Sequence, residues 1–215
     1  MFDVFLQKWR FFLRKPFVVA PNNFHHVHLR HFKKYFPNAE YQGTQSLQKK
    51  RKGFSFDSLL ESKSLYQWSN DLEHVFLFGM PMVQEVAFFH RKDKILIICD
   101  LFFNVQKTNF VGSLFTRLFG TYKTTAASRL FKSFIWNKRE FKDSLNDIMS
   151  LDFNTIVLSH GDIIRSEAKA CMKRVYPEFL GAELTTSHSW KAQKYYILTV
   201  KISTYACVLS DLYIR

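Results

Sequence analysis

Cysteine is scarce and scattered. Cys99, Cys171 and Cys207 are the only three, far apart and without a CxxC pair. That argues against a disulfide framework and a cysteine zinc site, and for free thiols in a reducing, cytoplasmic compartment. Long apolar runs are also missing. No window reaches the ~18 continuous apolar residues of a membrane helix, so no transmembrane segment is expected. The N-terminal MFDVFLQKWRFFLRK is interrupted by Asp3, Lys8, Arg10, Arg14 and Lys15. It reads as an amphipathic helix and not a signal peptide, either packed on its own domain or lying on a membrane surface. Acidic residues are few, 18 against 31 Lys and Arg, for a net charge of +13. Either the surface is basic and solvated, or the partner is anionic: nucleic acid, a nucleotide or anionic lipid. Glycine numbers seven against 24 Phe, a bias that genome composition explains as readily as function does.

What the chain does have is length and a patterned interior. Its 215 residues suit one domain or one domain with an appendage, enough to bury a substantial core. Pro16-Phe17-Val18-Val19-Ala20 reads as a buried strand that stops at the loop signal Pro21-Asn22-Asn23. Four of the eight histidines follow within seven positions, in PNNFHHVHLRH. HLRHFKKYFP reads as a short helix with Leu29, Phe32 and Phe36 on one face. Residues 43–71 look polar and irregular, with Lys49-Lys50-Arg51-Lys52 as a solvated loop. Val83–Phe89 and Ile95–Cys99, joined by Arg91-Lys92-Asp93-Lys94, form a hairpin pattern that ends on Asp100. Residues 110–150 are helical in rhythm. Asn154–Leu158 is another buried strand, ending on Ser159-His160-Gly161-Asp162, and a helix is expected over Ile163–Val175. YYILTVKIST alternates like an edge strand, with a short closing helix after it.

Three strand ends thus deliver ligand-competent residues: His25 and His26, then Asp100, then His160. Strand ends are where α/β folds gather their chemistry. One such histidine is ordinarily structural, but three in the same context raise the prospect of a metal site.

These stretches resemble the metallo-β-lactamase superfamily. VAFFHRKDKILIICDLFFN is similar to its hairpin ending on the bridging Asp, and IVLSHGD to its strand ending on the last His. The likeness is closer to a domain-of-unknown-function branch with stretches such as APNxxHH, FPNA, EVxFFH, TDLxFN and AHG. They correspond to Ala20-Pro21-Asn22, His25-His26, Phe36-Pro37-Asn38-Ala39, Glu85-Val86, Phe88-Phe89-His90, Asp100-Leu101-Phe102-Phe103-Asn104 and His160-Gly161. The resemblance spans roughly residues 16–176. It implies an α/β fold, the αββα sandwich, shortened at its N-terminal edge. Residues 1–176 would form that domain and 177–215 a β-rich C-terminal appendage.

Two registers fit the histidine stretch to the superfamily's HxHxDH. Read literally, His26-x-His28-x-Arg30-His31 puts Arg where a carboxylate belongs and His31 well into a helix. Read by distance from the strand, NNFHHV overlays HxFDHV. Asn23 then replaces a His, His25 takes the Asp position and His26 keeps the last His. Loop length favours the second. The first metal position then loses its leading histidines, and GMPMV, with Met80 and Met82, supplies no intermediate one. The resemblance therefore implies a degenerate, mononuclear site held by His26, Asp100 and His160, with His25 as a fourth ligand. Asp100 and His160 are the expected catalytic pair, with Asn23, Glu85 and Asp162 supporting the ligands from behind; a structural salt bridge is the alternative for Glu85. Such N and O donors suit one divalent metal, Zn first, Fe or Mn as alternatives. The implied activity is metal-dependent hydrolysis of a small-molecule or anionic substrate. A non-catalytic binding module and weak nucleic-acid binding or processing are the alternatives.

Overall fold

The computed structural model describes residues 17–181 and the backbone of Cys207–Leu209. The expected N-terminal helix, YYILTVKIST and most of the appendage lie outside the described residues.

The apolar run near the start forms strand β1 (Phe17–Ala20), in which Val18, Val19 and Ala20 are all fully buried. A strand covered on both faces needs no polar alternation, and β1 shows why it is covered. Val18 and Ala20 join one core with Leu29 and Phe32, whereas Val19 joins another with Phe88, Ile97 and Val157. Sheet one runs β10-β1-β2-β3, with β2 (Glu40–Thr44) and β3 (Ser58–Leu60) parallel to β1. β10 (Cys207–Leu209) is antiparallel on the other edge of β1, where the sequence suggested a closing helix.

Sheet two runs β4-β5-β6-β9: β4 (Leu72–Phe76), β5 (Val86–His90), β6 (Ile95–Ile98) and β9 (Thr155–Leu158). The expected hairpin is there, Phe88 opposite Ile97 and His90 opposite Ile95, and β9 lies parallel to β6. Alternation sorts these strands. Val86, Phe88, Ile97 and Val157 face sheet one, while Ala87, Phe89, Leu96, Ile98, Ile156 and Leu158 face outward onto helices. Helix α1 (Leu29–Tyr35) covers sheet one with Leu29 and Phe32, joined by Leu47 of α2 (Gln45–Lys50). α3 (Phe110–Leu118) and α4 (Arg129–Ser133) follow a two-residue strand β7 (Phe103–Asn104), which pairs with β8 (Thr125–Ala126). α5 (Lys138–Ser150) and α6 (Ala168–Val175) cover sheet two. Phe141, Leu145 and Ile148, then Ala168, Cys171, Met172 and Val175, supply the 3.6-residue stripes. α7 (Pro177–Leu180) packs Phe179 against Phe141 and Tyr176. The layers are therefore α-β-β-α, the sandwich that the resemblance implies.

Three further stretches differ from the sequence reading. Residues 43–71, expected to be irregular, hold the end of β2, α2 and β3. Thr44 caps α2 by accepting from the Leu47 N–H, so the basic run begins as the last turn of a helix. The helix expected from Ile163 starts only at Ala168. Ile164 instead pairs with Ile156 through two backbone hydrogen bonds, 2.7 and 2.9 Å. β4 went unrecognised, because LEHVF carries too short an alternation to stand out. Among the described residues no helix is long and apolar enough to cross a membrane.

Candidate metal centre

The loop after β1 turns sharply because Asn22 bonds to its own backbone. Its Oδ1 accepts from the N–H groups of Phe24 (2.9 Å) and His25 (2.8 Å), a local turn that asparagine favours. The same side chain donates from Nδ2 to Asp100 Oδ2 at 2.8 Å. One residue thus shapes the histidine loop and ties it to the end of β6. Two backbone bonds reinforce the tie between sheets: Asn23 N–H to Val83 O at 2.9 Å and Val86 N–H to Pro21 O at 2.8 Å.

His25 emerges from this turn with Nε2 at 3.1 Å from both Asp100 oxygens. His160, from the end of β9, places Nε2 at 3.2 Å from Asp100 Oδ1. The three residues offer ligand atoms all within 4.8 Å of one another. Two ligands about 2.0–2.1 Å from a shared tetrahedral ion stand roughly 3.3 Å apart. The two histidine–carboxylate separations, 3.1 and 3.2 Å, lie close to that edge, and two imidazoles with one carboxylate form a suitable donor set. His25 and Asp100 are buried and His160 is partly open, so the centre is reachable from one side.

The charges follow from this packing. Burial opposes the imidazolium of His25, but the Asp100 hydrogen bond and charge, then the Glu85 charge, outweigh it and raise its pKa. Burial would raise Asp100, yet the hydrogen bonds and charges of His160 and His25 hold its carboxyl well below the usual range. Glu85 is fully enclosed, and burial followed by the Asp100 charge pushes it up to about 7.

Glu85 does not reach a histidine, as a support behind a ligand was expected to. Both of its oxygens accept backbone N–H groups, from Cys99 (2.8 Å), Asp100 (2.9 Å) and Leu101 (3.4 Å). It holds the loop that carries Asp100. Tyr176 closes the same loop by donating its hydroxyl to Leu101 O. His160 is fixed by Asn104, whose N–H donates to His160 O at 3.0 Å and whose carbonyl accepts from Asp162 N–H at 2.9 Å. The Phe103 ring stacks on the His160 imidazole at 4.9 Å.

Other expected site residues lie elsewhere. His26 is buried but outside the trio. Its N–H bonds to Phe24 O, its carbonyl accepts from Leu29 N–H as α1 begins, and its Nδ1 has no partner. Burial, then the charges of Lys50 and Arg51, lower its pKa. Asn23 bonds Met82 O and the Ser46 hydroxyl. Asp162 is exposed and contributes its backbone to the Asn104 clamp. His28 precedes α1 and His31 lies within it, beside Tyr35. Met80 is in the core and Met82 is half exposed. Asn22 and Asn104 sat inside the motif stretches, yet neither had a role until the loops were folded.

Gly161 gives a direct test of the clamp. It adopts φ +120°, and a Cβ there would lie 2.1 Å from Asn104 O. Gly161→Ala should therefore displace the His160 turn and cost roughly 1–3 kcal/mol for the backbone conformation alone. A melt showing wild-type stability, with His160 unmoved by NMR, would contradict this.

No family model matches the sequence, and no curated protein matches it. Among solved structures, the chain is similar to DIM-1 metallo-beta-lactamase at 12% identity and TM-score 0.46, covering 75% of this chain and 65% of that one. It is similar to a metallo-beta-lactamase from Pontibacter korlensis at 12% identity and TM-score 0.46, covering 73% and 66%. The flavodiiron protein from Giardia intestinalis gives 17% identity and TM-score 0.47, covering 76% and 41%. The chain spans just under two thirds of the lactamases' length.

Proposed function

We propose that the protein is a metal-dependent hydrolase with a mononuclear site held by His25, Asp100 and His160. The observation that carries this reading is the convergence of three ligand atoms, from three strand ends in two sheets, within 4.8 Å of one another and with both imidazoles at 3.1–3.2 Å from the Asp100 carboxylate. Zn²⁺ suits the set, with Fe or Mn as alternatives. A divalent ion held by His25, Asp100 and His160 would supply Lewis acidity there and lower the pKa of water near neutral pH.

The chain's own groups do the positioning. Asn22 holds one Asp100 oxygen and leaves the carboxylate plane fixed for the two imidazoles. Glu85 and Tyr176 fix the backbone beneath it. Phe103 sets the plane of His160. Lys50 donates to Asn23 O at 2.7 Å, and its charge and that of Arg51 act on His26. A positive rim beside the histidine loop favours an anionic substrate. The same net charge is the basis for weak, non-specific nucleic-acid binding, which should fall steeply as salt rises.

Elemental analysis of the purified, Zn²⁺-, Fe²⁺- or Mn²⁺-reconstituted chain should give one equivalent. His25→Ala, Asp100→Ala and His160→Ala should each empty it, whereas His26→Ala, His28→Ala and His31→Ala should not. Two equivalents, none, or loss in the second set alone would defeat the assignment. Loaded protein inactive on phosphoester, ester and amide probes would favour a non-catalytic binding module.

A further inference from the structure

Helix α3 is amphipathic the wrong way round. Phe110, Val111, Leu114, Phe115 and Leu118 are between 56% and 89% exposed, and no residue of the helix is buried. At 100° per residue these five fall on one continuous stripe. Gly112, Ser113 and Thr116, on the opposite face, are the half-buried ones. Thr116 spends its hydroxyl on Gly112 O (2.9 Å) and Ser113 O (3.2 Å), and Asn109 caps the first turn through Gly112 N–H at 2.8 Å. The helix is thus well formed, with its small polar face toward the protein and its large apolar face toward solvent. Five large apolar side chains on nine residues form a patch, and contiguous patches mark an interaction surface.

Charge identifies the partner. From Leu101 to Arg139 the sequence has seven Lys and Arg and no Asp or Glu. Lys107, Arg117 and Lys123 are exposed around the helix. Arg117 lies at the edge of the apolar stripe on the helical wheel. Residues 1–16 carry four basic side chains and one acidic, and residues 182–206 three and one, so neither segment brings the negative charge that would complement this rim. A phosphate backbone alone would leave the apolar stripe wet. An apolar stripe edged by cations, on a helix about 14 Å long, suits an anionic bilayer surface, where such a helix lies in the plane of the headgroups.

We infer that α3 docks the protein on anionic membrane surfaces, burying Phe110, Leu114, Phe115 and Leu118 among the acyl chains with Lys107, Arg117 and Lys123 at the headgroups. This surface shares no residue with the metal centre, and the inference stands whether or not the protein is a hydrolase.

The test is co-sedimentation of the full chain with vesicles of phosphatidylcholine alone or mixed with phosphatidylserine. Wild type should pellet with the mixed vesicles, weakly with the neutral ones, and less as salt rises. The double variant Leu114→Glu/Phe115→Glu should bind about 100-fold more weakly, since it loses two large buried side chains. Its melting temperature should hold, because surface changes cost little. Lys107→Glu/Arg117→Glu keeps the stripe and should lose the phosphatidylserine preference. The inference fails if wild type stays in the supernatant with anionic vesicles. It fails if the double variant binds like wild type while deletion of residues 1–16 abolishes binding. It also fails if wild type is a dimer that the double variant converts to monomer, for then a second copy covers the stripe.

Discussion

Glu85→Ala should lower the melting temperature of the metal-free protein by roughly 6–20 °C, taking about 3–5 kcal/mol lost and 2–4 °C for each. The side chain is fully buried and accepts from three consecutive backbone N–H groups, Cys99, Asp100 and Leu101. Alanine leaves those donors unpaired in a place water does not reach, and each orphaned group costs about 1–3 kcal/mol. It also opens a void beside the outward-facing residues of β6. Glu85→Gln keeps one carbonyl oxygen but sets an NH₂ against an N–H, so it should fall between wild type and alanine. The measurement is a thermal melt of the three stripped proteins, with ¹H–¹⁵N spectra of the Asp100 loop. Identical melts for wild type and Glu85→Ala would show that the loop is held without the carboxylate.

Saturating Zn²⁺ should raise the melting temperature of the stripped wild type by about 5–10 °C, from ~2.7 kcal/mol at a hundredfold excess over Kd and 2–4 °C per kcal/mol. The ligand atoms sit at residues 25, 100 and 160, and the unfolded chain does not hold them together. Binding is therefore spent almost wholly on the folded state. Asp100→Ala should abolish the rise, because its carboxylate is the atom group both imidazoles face. His26→Ala should keep it. A wild type that melts alike with and without metal would leave the trio as a buried ion-pair cluster, with His25 and His160 closing on Asp100.

Apolar runs alone located β1, both arms of the β5–β6 hairpin and β9, because a strand buried on both faces is written as an unbroken hydrophobic stretch. α5 was legible for the complementary reason: its apolar positions repeat at helical spacing on an otherwise polar segment. β2, β3 and β4 were not. Their residues include Glu40, Gln42, Ser58 and Glu73, and the hydrogen bonds of neighbouring strands, not their own composition, make them extended. The segment from Ile163 to Glu167 was read as helix for the same reason in reverse. Ile164 falls at helical spacing before the buried Ala168, Cys171, Met172 and Val175 of α6, and the bridge offered by Ile156 wins.

The site divides along the same line. That ligand-competent residues stand at the ends of β1, β6 and β9 was readable from where each apolar run stops. Which of the two adjacent histidines turns toward Asp100 was not. Asn22 decides it by bonding the Phe24 and His25 N–H groups while reaching across to Asp100. Neither end of that bridge is visible until the sheets are packed. Glu85 was similarly in view immediately before β5, but its partners are backbone N–H groups on the next strand's exit, which have no signature in sequence. The sequence by itself determined which residues could act, because burial periodicity and side-chain chemistry are local properties. Only the tertiary structure decided which of them meet, because the distances between residues 22, 85, 100 and 160 are set by strand register and sheet packing.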